Sequence, residues 1–295
     1  MKIFKSTLYI GLLGMFSFTA CKKDLTIDKV NFEVSTTKTT YKVGDSVVFN
    51  FTGDPENITL FSGEPGYKYE FKDRLKAQGA PQFQFTSYAQ FGVQTNTLQV
   101  LASTKFSGIV DANISLSDWT DITSSVTLST GADNTASGVV DLSQFVGDKP
   151  VYIAYRFVGQ AGSTQKTWTI KNFSVQNKLS DGPILTVANT TTAGFRQISL
   201  KNPAAVWVIA ADNIKIAGGN ATALENEDWA VSKALYLDNV SPDVGVALKN
   251  TTTKMTSYSY AFANPGTYKV TFLASNATAD KFDSLIRELT ITVIP

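Results

Sequence analysis

Hydrophobic and polar positions alternate along most of the chain after residue 30. Val47, Phe49 and Phe51 share one face of a short segment, with Ser46 and Asn50 turned away. Val151, Ile153, Tyr155 and Phe157 repeat the pattern, as do Tyr258, Tyr260 and Phe262, then Tyr268, Val270 and Phe272, then Leu289, Ile291 and Val293. A period of two with β-branched and aromatic residues is the mark of half-buried antiparallel strands. Turn residues punctuate the runs at Gly53-Asp54-Pro55, Gly63-Glu64-Pro65-Gly66, Gly218-Gly219-Asn220 and Asn264-Pro265-Gly266. In TWTIKNFSV, Trp168 and Ile170 share a face that Phe173 and Val175 rejoin only if parity slips near Asn172, which predicts a β-bulge there. No long amphipathic helix is legible; Lys281–Glu288 is the stretch read as one or two helical turns. The pattern predicts an all-β protein built of sandwiches.

The first residues follow another rule. Lys2 and Lys5 precede an apolar run from Leu8 to Phe18, and Thr19, Ala20 and Cys21 come next. A basic start, a short apolar core and a small residue before the cut describe a secretory signal peptide, and the run falls short of the ~20 residues of a membrane-spanning helix. The sequence FTAC resembles the lipobox of bacterial lipoproteins, which implies cleavage before Cys21 and acylation of its thiol. Cys21 is the chain's only cysteine, so internal disulfides are excluded. With no histidine, Ser-His-Asp chemistry and His-ligated zinc or haem are excluded as well. Twenty-six Lys and Arg against 25 Asp and Glu leave no basic excess for nucleic acid.

Two groups of strands resemble known modules. YKVGDSVVFNFTGDPENITLFSGEPG (41–66) and YAFANPGTYKVTFLASN (260–276) with ELTITVIP (288–295) resemble the two halves of a PKD-type immunoglobulin-like domain. SDWTDIT (117–123), VVDLSQFVGDKPVYIAYRF (139–157) and TWTIKNFSV (167–175) resemble a galactose-binding-like jelly roll, as does the late segment EDWAVSKALYL beginning at Glu227. The implied organisation is a signal peptide (1–20), a lipid-anchored tether (21–29) that is extended or disordered, an Ig-like first half (30–74), a jelly-roll-like domain (75–235) and an Ig-like second half (236–295). The whole resembles an uncharacterised family of Bacteroidetes lipoproteins, defined as a domain of unknown function. The resemblance rests on FTGDPENITLFSGEPGYKYEFKDR (51–74) and on EDWAVSKALYLDNVSPDVGVALK with the PKD-like tail. Kinship of this kind implies a glycan-binding partner of an outer-membrane transporter in a polysaccharide-utilisation system.

A sugar-binding sandwich needs flat aromatic faces for C–H groups and polar side chains for hydroxyls. The candidates are Trp119, Trp207 and Trp229, with Tyr67 and Tyr88 beside them and Tyr69 as a further tyrosine. For each of the three tryptophans a core position is weighed above an exposed platform; Trp168, alternating with Ile170, is read as core. Paired carboxylates of a glycosidase are sought at Glu64, Glu70 and Asp73 and at Glu225, Glu227 and Asp228, but spacing alone puts no two of them across a sugar bond. No metal ligand set or cofactor is expected, although Asp111, Asp118 and Asp121 leave room for a structural Ca²⁺. The expectation is a non-enzymatic envelope lipoprotein at the outer membrane, facing either side, that binds oligosaccharide. A structural or adhesive surface protein making protein–protein contacts is the alternative, and a carboxylate glycosidase the third reading.

Overall fold

The computed structural model describes residues 26–180, 182–251 and 253–295. Cys21, the leader and residues 22–25 of the tether lie outside them, and residues 26–29 carry no regular secondary structure. The chain begins with four strands, β1 (Phe32–Ser35), β2 (Thr40–Lys42), β3 (Ser46–Gly53) and β4 (Asn57–Phe61). The next six are β5 (Gly79–Gln90), β6 (Leu98–Ser103), β7 (Thr120–Asp121), β8 (Thr135–Ala136), β9 (Val140–Asp141) and β10 (Tyr152–Gly159). Then come β11 (Thr167–Leu179), β12 (Ile184–Asn189), β13 (Arg196–Ser199), β14 (Val208–Ile209), β15 (Asn213–Ile216) and β16 (Asn226–Val231). The last four are β17 (Val246–Lys249), β18 (Ser257–Ala261), β19 (Gly266–Ala277) and β20 (Phe282–Ile294). The only helical elements among the described residues are short 3₁₀ turns, none of them able to cross a membrane. The fold is all-β, with sheets packed as sandwiches.

The strands form two compact units. One joins the chain up to Phe61 with Val246–Pro295; the other is the continuous stretch Ser62–Gly245. In the first, a three-stranded sheet β1-β3-β18 and a five-stranded sheet β17-β4-β19-β20-β2 supply one shared core. Val47, Phe49 and Phe51 point inward from β3, as their alternation requires, and the Phe49 and Phe51 rings meet Phe272 edge-on at 5.1 and 5.4 Å. Each such ring contributes about 1.5–3 kcal/mol by leaving water. The expected helical turns at Lys281–Glu288 are not formed. That segment is strand β20, paired residue by residue with β19 from Gly266↔Val293 to Ala277↔Phe282. Its residues alternate between half-buried and exposed, which is a strand's periodicity.

The boundaries of the inserted unit differ from the expected ones. Residues 62–74 and 236–245, assigned from sequence to the Ig-like halves, belong to the Ser62–Gly245 unit. The reason is a polar clasp around buried Asp243, whose carboxylate takes the Arg74 guanidinium at 3.0 Å and the Lys68 N–H at 2.9 Å. Its own N–H donates to the Phe71 carbonyl at 3.1 Å, and Val240 N–H reaches Leu75 O at 3.0 Å. These bonds tie the entering and leaving segments to one another.

This unit packs a five-stranded sheet, β13-β16-β10-β6-β7, on a larger one running β14-β15-β11-β5-β8, with β12 and β9 paired to β11 and β5. The aromatic centre of the core is Phe83, Phe85, Tyr155, Phe173, Phe195 and Trp207. The bulge falls where parity demanded it. Pairing of β11 with β5 shifts between Lys171 and Ser174, Asn172 takes a left-handed φ of 53°, and Trp168, Ile170, Phe173 and Val175 all reach the same core. A second, smaller apolar cluster lies on the other face of the five-stranded sheet. Val100 and Ala102 of β6 enter the main core while Leu101 between them joins Phe106, Trp119, Ala154, Trp229 and Val231. The sheet is therefore covered on both faces in its middle.

Candidate functional site

The three tryptophans chosen as binding candidates are not at the surface. Trp207 and Trp229 are 2% and 1% exposed and Trp119 is 8% exposed. Trp207 sits in the main core and donates its indole N–H to the Asp228 carbonyl at 3.3 Å. Trp119 and Trp229 pack on each other, ring centroids 5.6 Å apart, with Phe106 against Trp119. All three take the core position that the sequence reading weighed above a platform, Trp207 in the main core and Trp119 and Trp229 among Leu101, Phe106, Ala154 and Val231. Their candidacy as binding residues is therefore corrected to a packing role. Tyr67 is exposed but belongs to the tight turn closed by its own N–H on Glu64 O. Tyr88, half-buried, lies on the outer face of the larger sheet, since Phe85 and Ala89 of the same strand point to the core.

The structure instead draws attention to a polar row that crosses the outer face of the five-stranded sheet. Arg156 of β10 is its centre. Its Nε and Nη2 both lie 2.8 Å from Glu227 Oε1 on β16, and its Nη1 donates to Gln99 Oε1 on β6 at 2.5 Å. The Gln99 amide then donates to Asp121 Oδ2 on β7 at 2.8 Å, and Thr123 N–H donates to Asp121 Oδ1 at 2.8 Å. Arg156 also lies over the Trp229 ring, 5.6 Å from its centroid. Register makes this row: Arg156 pairs directly with Trp229 on one side and Gln99 on the other. Burial pushes the Asp121 carboxyl up. The Thr123 side-chain and backbone hydrogen bonds, the Gln99 amide and the Arg156 charge outweigh it and hold Asp121 below its ordinary value.

At the β6–β7 end, the row opens into a cavity of about 570 Å³ at one end of the unit. Gln99, Asp121 and Thr123 form one wall; Thr95, Asn96 and Thr97 from the β5–β6 loop form another; Ser129, Thr130 and Lys166 complete the polar rim. Leu98, Leu128 and Trp168 are its apolar lining. Trp168, read from sequence as core, is buried yet borders this space, its indole N–H fixed on Thr97 Oγ1 at 2.8 Å. Seven of the twelve lining residues carry an amide or a hydroxyl and Asp121 and Lys166 are its charges, while most of the exposed lining surface is apolar.

Gln99 and Arg156 escaped sequence reading, although each leaves a signal. Both are polar residues within strands otherwise rich in buried apolar side chains, LQVLAS and YIAYRFVG. On the other face of β16 from Glu227, Asp228 is wholly buried, and neither carboxylate oxygen makes a hydrogen bond within the usual geometry. Burial pushes its pKa up to about 7; polar contacts with Ser199 and Asn226 oppose the rise and the Glu227 charge adds to it. Neither Glu64 nor Glu70 lines the cavity; Glu64 accepts from Ser62 Oγ at 3.1 Å. Asp111 caps the Asn113 N–H at 2.9 Å. Among the described residues no three His, Cys, Asp or Glu side chains come together to hold a metal, so Asp111, Asp118 and Asp121 do not form the calcium site for which the sequence left room.

Sheets packed face to face in two units define an all-β sandwich protein, and one of the units bears the cavity. The chain belongs to the family described as a domain of unknown function, DUF5017, which matches residues 20–195. The matched stretch includes 51–74 and carries Gln99, Asp121, Arg156 and Lys166; Glu227 and the C-terminal strands follow it. No curated protein and no solved structure matches the chain.

Proposed function

We propose that this protein is a lipid-anchored bacterial envelope protein that binds oligosaccharide without cleaving it, in a Bacteroidetes glycan-utilisation system beside an outer-membrane transporter. On this reading the inserted unit is the galactose-binding-like jelly roll and the unit around it is the PKD-type Ig-like domain. The observation that carries the proposal is the cavity lining. Gln99 of β6 and the amide and hydroxyl side chains of the surrounding loops offer donors and acceptors to sugar hydroxyls, and Leu98, Leu128 and Trp168 contribute to a mostly apolar surface on which its C–H groups can rest. Neutral polar side chains lose less on partial desolvation than charged ones, so such a wall exchanges water for sugar hydroxyls at small cost. Asp121 and Gln99 are held in place by the row behind them, so little ordering accompanies binding.

Isothermal titration of the full chain against a panel of oligosaccharides tests this reading. Binding is expected, and Gln99→Ala should weaken it by about tenfold, the value of one well-placed hydrogen bond to a fixed partner. Flat traces across the panel refute it. The anchor is tested separately: intact-mass spectrometry of the membrane-extracted protein should show Cys21 acylated, and Cys21→Ser should release the chain from the membrane fraction. Two or more acyl chains are needed for stable anchoring, so a mass increment of a single short modification would count against it.

A further inference from the structure

The loop that leaves β5 beside the cavity carries a phenylalanine that the fold leaves in water. Phe91 is 75% exposed and holds a left-handed φ of 53°. Bulky residues seldom adopt that region, and positions that keep it against its cost concentrate at functional sites. The loop is held by several contacts. Gly92 follows at φ 60°, drawn so close to the neighbouring strand approach that a Cβ there would collide with the Gln165 carbonyl. Val93 N–H donates to Thr164 O at 3.0 Å, and the Gln94 amide reaches Gln160 O at 2.7 Å. Lys166, itself in the cavity rim, points its ammonium at the Gly92 and Phe91 carbonyls, 3.1 and 3.4 Å away. The backbone under Phe91 is therefore fixed to a residue of the cavity wall while its ring has no apolar cover.

We propose that Phe91 is the aromatic platform on which a pyranose ring of the ligand stacks, and that the ligand is an uncharged oligosaccharide. The proposal rests on the reading of the cavity as a glycan site. Its charge half comes from the balance of the wall, whose one carboxylate, Asp121, is offset by its one cation, Lys166. Asp121 is already satisfied by Gln99 and Thr123, and Lys166 is engaged with backbone carbonyls. With one carboxylate and one ammonium in its lining the cavity offers an acidic sugar no net positive charge, whereas a neutral one meets hydroxyl partners below and an aromatic face at the mouth. A ring pre-set on a pinned loop stacks with little loss of entropy.

The test compares the full chain with Phe91→Ala and Phe91→Trp by calorimetry, using malto-, cello-, xylo- and galacto-oligosaccharides as neutral probes and oligogalacturonate as the acidic one. Neutral chains are expected to bind and oligogalacturonate not to. Phe91→Ala should weaken binding by about tenfold or more, Phe91→Trp should keep it, and all three proteins should melt at the same temperature because the ring is exposed. Neutral binding that survives Phe91→Ala overturns the platform while leaving the cavity's reading intact. Tighter binding of oligogalacturonate than of any neutral chain overturns the charge assignment. Silence of the wild type towards every probe removes the glycan reading and this inference together.

Discussion

Both units pack a smaller sheet on a larger one, yet they treat charge on a sheet's outer face differently. In the unit formed by the two ends of the chain, Lys269 and Glu288 pair across β19 and β20 at 3.0 Å with side chains 60% and 41% exposed. In the inserted unit, Arg156 and Glu227 pair at 2.8 Å with 18% and 16% exposure, and the guanidinium is further occupied by Gln99 and Trp229. An exposed pair exchanges water for a partner at almost no net gain. A half-enclosed one survives only if its remaining donors are satisfied, and removing one member strands the other. The difference teaches where to look for function: the costly pair is the one whose far end forms a cavity wall.

The largest expected effect is at that pair. Arg156→Ala leaves Glu227 enclosed without its partner and frees Gln99, and should destabilise the chain by about 2–4 kcal/mol in chemical denaturation while abolishing glycan binding. A loss as small as that of a surface pair would erase the distinction between the two faces. Next is Asp228, where the sign follows from its raised pKa. Folded, it keeps its proton up to about pH 7; unfolded, it releases it near 3.8. Between those values the folded state binds more protons, so stability is full below the lower value and falls as pH rises towards about 7, then levels off. Asp228→Asn removes this dependence, and its melting temperature relative to wild type should rise from pH 5 to pH 8. A constant difference across that range would show Asp228 ionised in the fold. The smallest effect belongs to the exposed pair: Lys269→Ala should change stability by about 0.5 kcal/mol or less, and that little should vanish in 0.5 M salt.

Much of the architecture was legible because strand patterning is local. Alternation at 46–51, 151–157 and 268–272 set which side chains entered the cores, and a broken alternation at Asn172 was enough to locate the bulge in β11. Lys281–Glu288 was misread because its charged residues obscure the period of two, and only the pairing with β19 makes it a strand. The domain limits missed by about ten residues on each side, since Arg74 and Asp243 lie far apart in sequence and nothing near either one announces the other. The tryptophans were offered as binding candidates for their flat rings, while their sequence neighbours already favoured the core positions they occupy.

Alternation and turn residues settle the all-β class from the chain alone, because each strand's two faces are fixed by its own backbone geometry. The row Glu227–Arg156–Gln99–Asp121 and the cavity at its end come from four strands brought side by side by register. Register between distant segments depends on the packing of the whole core, so the site's composition was decided in three dimensions while its scaffold was written in one.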